Sequence, residues 1–345
     1  GPVLIFAGAG SGKTRVLTHK LFHLVDEGIF KSEEILAVTF TNKAAKEMEN
    51  RVKKLLKTDD LSLSIGTFHS ICAKILREDI KILGFSRSFA IYDVKDQLDL
   101  IKVLFDQFDI SKNIISPNQL RNQISLYKNK MIDCKTVKRK ARTKLEKTIS
   151  DVYTQYQKSL KINDALDFDD LLTFPLDIFR KKPTILKKYQ SRWKYILVDE
   201  YQDTNRAQFE LLTLLAKDHQ NICVVGDDDQ SIYGWRGAEV SNILDFENTF
   251  SSCRVFTLEK NYRSTQEILN AATAVVKNND RRANKNLIAA NGPGETLGLI
   301  ETIDEQEEAS AIISSIEKEI KLNKRTFSHF SVLYRTNAQS RALEE

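Results

Sequence analysis

The stretch Val3-Leu4-Ile5-Phe6-Ala7-Gly8-Ala9-Gly10-Ser11-Gly12-Lys13-Thr14 decides the fold class. Four apolar residues in a row read as a buried strand, because a strand covered on both faces shows a continuous hydrophobic run. A glycine-rich turn follows, and then a segment with Leu17, Leu21 and Leu24 at helical spacing. Strand, small-residue turn and helix start, in that order, make a phosphate-binding loop. Small residues let backbone N–H groups turn inward, and the helix N-terminus adds partial positive charge. Ala9, Gly10, Ser11 and Gly12 would form the cradle, Lys13 would reach the β- and γ-phosphates, and the Thr14 hydroxyl would ligate Mg²⁺. The first position of the usual pattern is Ala7 instead of glycine, at a place that needs a small residue more than a missing Cβ. A glycine-rich turn without ligand is the competing reading; the coincidence of strand, loop, Lys-Thr and helix favours ATP with Mg²⁺.

Outward from this loop the same alternation continues. Residues 35–40 read as a strand, with Thr41-Asn42 able to cap a helix through Met48 and Val52. Residues 62–65 read as a third strand, and residues 67–70 open a helix to Arg77. From about 86 to 164 strand signals nearly vanish and helical periodicity takes over. Strands resume at 195–198, 222–225 and 254–258. The pattern is an α/β parallel sheet with a helical stretch inserted into it. After Ser264 come a helix, the turn Asn291-Gly292-Pro293-Gly294, a strand over 297–301, a helix from Glu305 and a strand over 330–334, the start of a second α/β unit.

Two acidic strand ends carry chemistry. Asp199 and Glu200 follow an apolar strand, at the crevice where α/β ligands bind. Asp199 suits Mg²⁺, and Glu200 is placed to activate water; alone, they would read as caps of the next turn. Asp227-Asp228-Asp229-Gln230 repeats the logic. Three consecutive acids repel one another unless a cation or basic side chains are near, so the sequence leaves an exposed acidic loop open as an alternative. The Gln230 amide can bond a γ-phosphate and an attacking water together. Tyr233, Trp235 and Arg236 follow on a glycine-containing segment. Aromatic faces beside an arginine make a stacking platform for single-stranded bases, with ordinary packing as the rival reading.

Composition narrows the class. At 345 residues the chain exceeds one usual core, and 41% hydrophobic with 29% charged residues is ordinary for a globular protein. No apolar run approaches a membrane span, and the start lacks a secretory pattern. Cys72, Cys134, Cys223 and Cys253 form no metal-ligand pairs and read as free thiols in a reducing cytoplasm. Residues 112–147 carry eleven Lys or Arg against Asp133 and Glu146, a net of +9 that leaves −4 elsewhere in a chain of +5. That stretch reads equally as a polyanion-binding surface or a solvated helical face.

The motifs AGAGSGKT, AVTFTNKAAKEM, GTFHS, LDFDDL, ILVDEYQDTN, VVGDDDQSIYGWRGA, LEKNYRS and VLYRTNAQSR occur in this order across nearly the whole chain. Together they resemble the superfamily 1 DNA helicases of the UvrD, PcrA and Rep group. The resemblance implies a RecA-like ATP-binding domain over 1–85 and 165–264, a helical insertion over 86–164 and an incomplete second RecA-like domain over 265–345. It implies that Tyr262 stacks on adenine, that Arg15 lies near the nucleotide, and that Arg263 reaches the γ-phosphate as an arginine finger with Gln230 as sensor. Phe40, Thr41, Asn42, His69, Tyr233, Trp235 and Arg236 match the single-strand track; for His69 a helix-start or core role competes.

The activity implied is ATP-dependent single-strand DNA translocation and 3′→5′ unwinding of single/double-strand junctions in the cytoplasm. Repair or replication would be the setting, with proteins of those processes as partners. The family's glutamine-containing adenine motif would precede Gly1 and a second arginine finger would follow Glu345, so the expectation is a fragment inactive alone. Two alternatives are the helicase part of a recombination nuclease-helicase and a non-motor scaffold that binds nucleotide or DNA. A small-molecule kinase has no need of the aromatic loop or an interrupted domain.

Overall fold

A computed structural model describes residues 1–58, 62–111 and 114–344. The strands are β1 (Val3–Ala7), β2 (Ile35–Thr39), β3 (Ser64–Thr67), β4 (Ala90–Tyr92), β5 (Ala165–Asp167), β6 (Tyr195–Val198), β7 (Ile222–Gly226), β8 (Arg254–Leu258), β9 (Lys260–Asn261) and β10 (Ile288–Ala289). The helices are α1 (Lys13–Asp26), α2 (Asn42–Leu56), α3 (Phe68–Asp79), α4 (Val94–Gln107), α5 (Pro117–Asn129), α6 (Cys134–Lys140), α7 (Lys144–Ile162), α8 (Phe168–Lys181), α9 (Pro183–Arg192), α10 (Arg206–Ala216), the short α11 (Ser241–Leu244) and α12 (Phe246–Thr249), α13 (Gln266–Val276), α14 (Glu305–Asn323) and α15 (Ser340–Glu344). Two compact units result, Gly1–Gly292 and Pro293–Glu345.

The first unit is built on a six-stranded sheet in the order β3-β2-β6-β7-β1-β8, with parallel pairing throughout. It is the α/β parallel sheet that the sequence pattern implies, with β3 two residues later than expected. Successive strand residues face opposite sides. Leu4, Phe6, Leu36, Val38, Ile196, Val198 and Val224 join α3, α8 and α10 in one core. Val3, Ile5, Ala37, Leu197, Cys223 and Val225 join Leu17, Leu21, Met48 and Val52 of α1 and α2 in the other. Because both faces are covered, every strand of the central four reads as apolar without alternation. Side-chain caps start the helices at the strand ends: Thr41 Oγ1 accepts from the Ala44 N–H at 3.1 Å, and Thr67 Oγ1 from Ser70 N–H at 3.3 Å.

Between β4 and β5, which pair in parallel, the helices α4 to α7 enclose a third core of Ile101, Leu104, Phe105, Leu120, Ile124, Val152, Tyr153 and Tyr156. The two three-residue strands escaped the sequence reading because they are too short for a periodic signal. The basic stretch also needs correcting. Lys128 is buried, its Nζ 2.6 Å from Asp167 and 2.8 Å from Asp170, so it contributes nothing to a surface. Lys112 lies outside the described residues. Lys135, Lys138, Arg139, Lys140, Arg142, Lys144 and Lys147 are exposed.

The second unit contains α14 and α15. Asp304 caps α14 by accepting from Gln306 N–H at 3.0 Å and Glu307 N–H at 2.8 Å, and Glu305, Glu307 and Glu308 complement the helix dipole. The strands expected over 297–301 and 330–334 do not form. A strand is stabilised by pairing, and Leu299 and Leu333 stand more than nine-tenths exposed with no neighbouring strand among the described residues of this unit. Among the described residues no helix is long and apolar enough to cross a membrane.

Candidate nucleotide and strand-binding site

The phosphate-binding loop leaves β1 and turns through two left-handed residues, Gly10 at φ 66° and Gly12 at φ 95°. Gly10 is also crowded: a Cβ there would lie 2.6 Å from Arg263 Cβ. Ser11 closes the turn, its hydroxyl donating to the Gly8 carbonyl at 2.7 Å and its N–H to the same oxygen at 3.2 Å. Gly12 caps α1 without a side chain, so the helix's leading N–H groups are left for an anion. Lys13 Nζ donates to the Ala7 carbonyl at 3.4 Å, folded back along the loop. Ala9 is contacted by the Asn261 side chain through its carbonyl.

One strand away from β1 across β7, β6 delivers Asp199. The Thr14 hydroxyl donates to Asp199 Oδ2 at 3.2 Å, across 185 residues of sequence. Asp199 is 4% exposed, and burial, reinforced by the Glu200 charge, pushes its pKa up to about 6. A hydroxyl and a buried carboxylate at this spacing are hard oxygen donors that fit Mg²⁺, and a cation there would restore the carboxylate to its charged form. Glu200 has φ 50°, a left-handed conformation uncommon for glutamate and enriched at functional sites. Its Oε2 accepts from Gln202 Nε2 at 2.9 Å.

β7 leads into Asp227, and the structure answers how three adjacent acids coexist. Lys285 Nζ lies 2.6 Å from Asp227, 3.0 Å from Asp229 and in contact with Asp228. Arg282 grips Asp229 with two bonds, 3.1 and 2.8 Å. The exposed acidic loop is therefore excluded: Asp227 and Asp228 are buried. Gln230 Nε2 donates to Asp227 Oδ2. Thr14, Asp199, Glu200, Gln202 and Gln230, with Phe40, Thr41 and Tyr233, line one cleft of about 320 Å³.

Phe40 and Tyr233 also line a second cavity. Their rings stack at 5.3 Å and 24°, and with Asp203 they line this groove of about 470 Å³ with His69, Trp235, Arg236 and, from α5, Arg121 and Asn129. Trp235 is 73% exposed, which rules out ordinary packing, and Arg236 sits 4.6 Å over its ring and 5.3 Å over that of Tyr233. His69 tilts against Phe168 at 5.6 Å, and burial lowers its pKa, favouring a neutral ring.

Not every candidate converges. Asn42 is the exposed first residue of α2 and lines neither cavity, while Thr41 both caps that helix and lines the cleft. Arg15 is exposed on α1. Tyr262, 59% exposed, and Arg263 follow β9; the Tyr262 N–H donates to the Gly10 carbonyl at 3.0 Å, so this segment rests on the phosphate loop. Asn261 holds it there, accepting from the N–H groups of Arg263 and Ser264 at 2.8 Å each. Sequence reasoning missed Asn261, Lys285, Arg282, Gln202, Arg121 and Asn129. The motif strings LEKNYRS and ILVDEYQDTN contain two of them; the others carry no local signal.

Residues 1–251 match the UvrD/REP helicase N-terminal domain, and residues 256–345 match the UvrD-like helicase C-terminal domain. Curated relatives include the ATP-dependent DNA helicase PcrA of Staphylococcus aureus and that of Staphylococcus epidermidis. Each is 46% identical over 345 residues, covering 100% of this chain and 47% of the relative. The chain thus spans about half the length of these relatives.

Proposed function

The chain belongs to the UvrD/REP helicase family, and from that premise we propose that it is the ATP-hydrolysing part of a single-strand DNA translocase and helicase. The observation that carries this reading is the shared wall. Phe40 and Tyr233 line both the cleft holding Thr14, Asp199, Glu200 and Gln230 and the groove holding Trp235 and Arg236. A change at the phosphates therefore reaches the stacking surface through these two rings and through Asp203, which lines both as well.

The roles follow from position. The loop N–H groups and Lys13 bind the triphosphate, with Tyr262 offering a face to adenine and Arg15 lying near the nucleotide. Thr14 and Asp199 would hold Mg²⁺, which supplies positive charge against the phosphates. Glu200, held by Gln202, accepts a proton from the attacking water, and Gln230 orients that water against the γ-phosphate. Arg263 stabilises charge on the transferring phosphoryl group. Bases stack on Phe40, Tyr233 and Trp235, with Thr41, Asn42, His69 and Arg236 along the strand, so binding tolerates any base order. The exposed cations of 135–147 hold the backbone at a single/double-strand junction, a contact that weakens with salt.

Translocation with 3′→5′ polarity, a role in repair or replication, a cytoplasmic setting and the division into 1–85 with 165–264, 86–164 and 265–345 belong to the same proposal. The test is ATP hydrolysis by the full-length protein with and without single-stranded DNA. Strong stimulation is expected, abolished by Lys13→Ala with the melting temperature unchanged. DNA binding without turnover would replace the motor with a scaffold.

A further inference from the structure

Lys285 lies outside every role assigned above, yet its ammonium is among the most enclosed charges of the first unit. Its side chain is 2% exposed and meets carboxylates of Asp227, Asp228 and Asp229 together. The candidate cation position formed by these three acids is thus filled by the chain itself. A buried charge cluster of this kind is costly unless every member is paired. Here the pairing is complete: Arg282 takes Asp229, and the Ala283 N–H donates to Asp228 Oδ2 at 2.7 Å.

What the cluster holds matters more than its own energy. Asp227 is the middle of two short hydrogen-bond chains. Its carboxylate accepts from the Gln230 amide, and its N–H donates to Gln202 Oε1 at 3.0 Å, whose Nε2 donates to Glu200 at 2.9 Å. The segment carrying Lys285 touches the other side of the cleft as well. Leu287 packs over Gly8 so closely that an added Cβ would collide with its Cδ2. β10 then pairs with β9, the strand that leads into Tyr262 and Arg263, with the Ala290 N–H donating to the Asn261 carbonyl at 2.7 Å.

We propose that Lys285 is a positioning residue for ATP hydrolysis, a latch through which residues 282–290 fix Gln230, Glu200 and Arg263 as one set around the γ-phosphate. The proposal rests on the ATPase reading and deepens it. Without the ammonium, Asp227 turns away from its neighbouring carboxylates and the Gln230 amide follows it. The turn of the phosphate loop is closed by its own bonds from Ser11 to the Gly8 carbonyl, so turnover suffers more than affinity. Misplacing reacting groups by about 1 Å costs on the order of a hundredfold in rate.

The experiment measures kcat and KM for ATP in the full-length protein with single-stranded DNA, alongside thermal melting. Lys285→Met is expected to lower kcat by roughly tenfold to a hundredfold while KM stays within about twofold. Since Lys285→Met leaves buried carboxylates uncompensated, a second variant, Lys285→Met with Asp228→Asn, removes one negative charge and keeps an acceptor for the Ala283 N–H. It is expected to recover melting temperature yet remain slow. Recovery of kcat together with stability would reduce Lys285 to a structural residue and overturn the proposal. A wild-type protein that hydrolyses no ATP would instead sink the ATPase reading, and the latch with it. An active wild type with an unchanged Lys285→Met kcat sinks the latch alone.

Discussion

Two buried lysines organise the first unit in the same chemical language and to different ends. Lys128, on α5, meets Asp167 and Asp170 at the start of α8, where the helices between β4 and β5 meet a helix of the large core. Lys285 meets Asp227, Asp228 and Asp229 at the end of β7. Around Lys285 a second cation, Arg282, is present, and its bonds hold the Asp229 pKa below the usual range against the opposing effect of burial. Around Lys128 the described residues offer no second cation. Tyr156 supplies a neutral donor instead, its Oη reaching Asp167 at 3.0 Å. The excess negative charge is then relieved by protonation. Burial, aided by the Asp167 charge, pushes Asp170 up to about 7 and Asp169 up to about 6.

The contrast teaches that a buried lysine can serve as a joint or as a latch, and that its partners' other bonds decide which. Asp167 and Asp170 spend theirs on the cap of α8, Asp170 N–H donating to Asp167 at 2.9 Å. Asp227 instead reaches Gln230 and, through Gln202, Glu200.

The largest effect that can break this comparison is Lys128→Met. It is expected to cost about 3–5 kcal/mol of stability, because two buried carboxylates lose their cation. Urea unfolding measures it, and the kcat of the folded fraction should stay within about twofold, the reverse of the Lys285 pattern. A Lys128→Met protein that is stable but slow would merge the two clusters into one role.

Next in size is a pH effect. A carboxyl whose folded pKa is raised contributes stability in full below its unfolded pKa of about 4, and loses it as pH climbs through the folded value. For Asp170 the loss falls between about pH 4 and 7. Asp170→Asn should flatten the fall of unfolding free energy across that window by on the order of 1–2 kcal/mol. An identical slope in the two proteins would place Asp170 as a permanently charged partner of Lys128.

The smallest effect belongs to an exposed pair joining α6 and α7. Lys138 reaches Asp151 at 3.2 Å with two-thirds of its side chain in solvent. Lys138→Ala should change stability by less than about 0.5 kcal/mol, and the change should vanish in high salt. A larger, salt-independent loss would show that burial is not what separates these ion pairs.

Much of the site is legible in the amino-acid sequence. The loop from Gly8 to Thr14, Asp199 and Glu200 at a strand end, and the aromatic run at Tyr233 and Trp235 each announce themselves within a few residues. They do so because an anion cradle needs small residues beside a helix start, and a stacking face needs aromatic rings on a loop. The parallel sheet is equally legible from apolar runs separated by helices. Lys285, Asn261 and Lys128 are not. A lysine destined for burial looks like any other until its carboxylates, 39 to 58 residues away, are brought to it. The expected strands over 297–301 and 330–334 show the opposite error: local apolar pattern without a pairing edge does not make a sheet.

By itself the sequence determined the class of fold, the phosphate loop and the family to which the chain belongs, because these depend on short-range pattern and on motifs in fixed order. Only the tertiary structure decided that Thr14 meets Asp199, that Phe40, Tyr233 and Asp203 line both the cleft and the groove, and that three adjacent aspartates close on a lysine. Those are contacts between segments far apart in sequence, and charge and shape complementarity across such distances leave no trace in local periodicity.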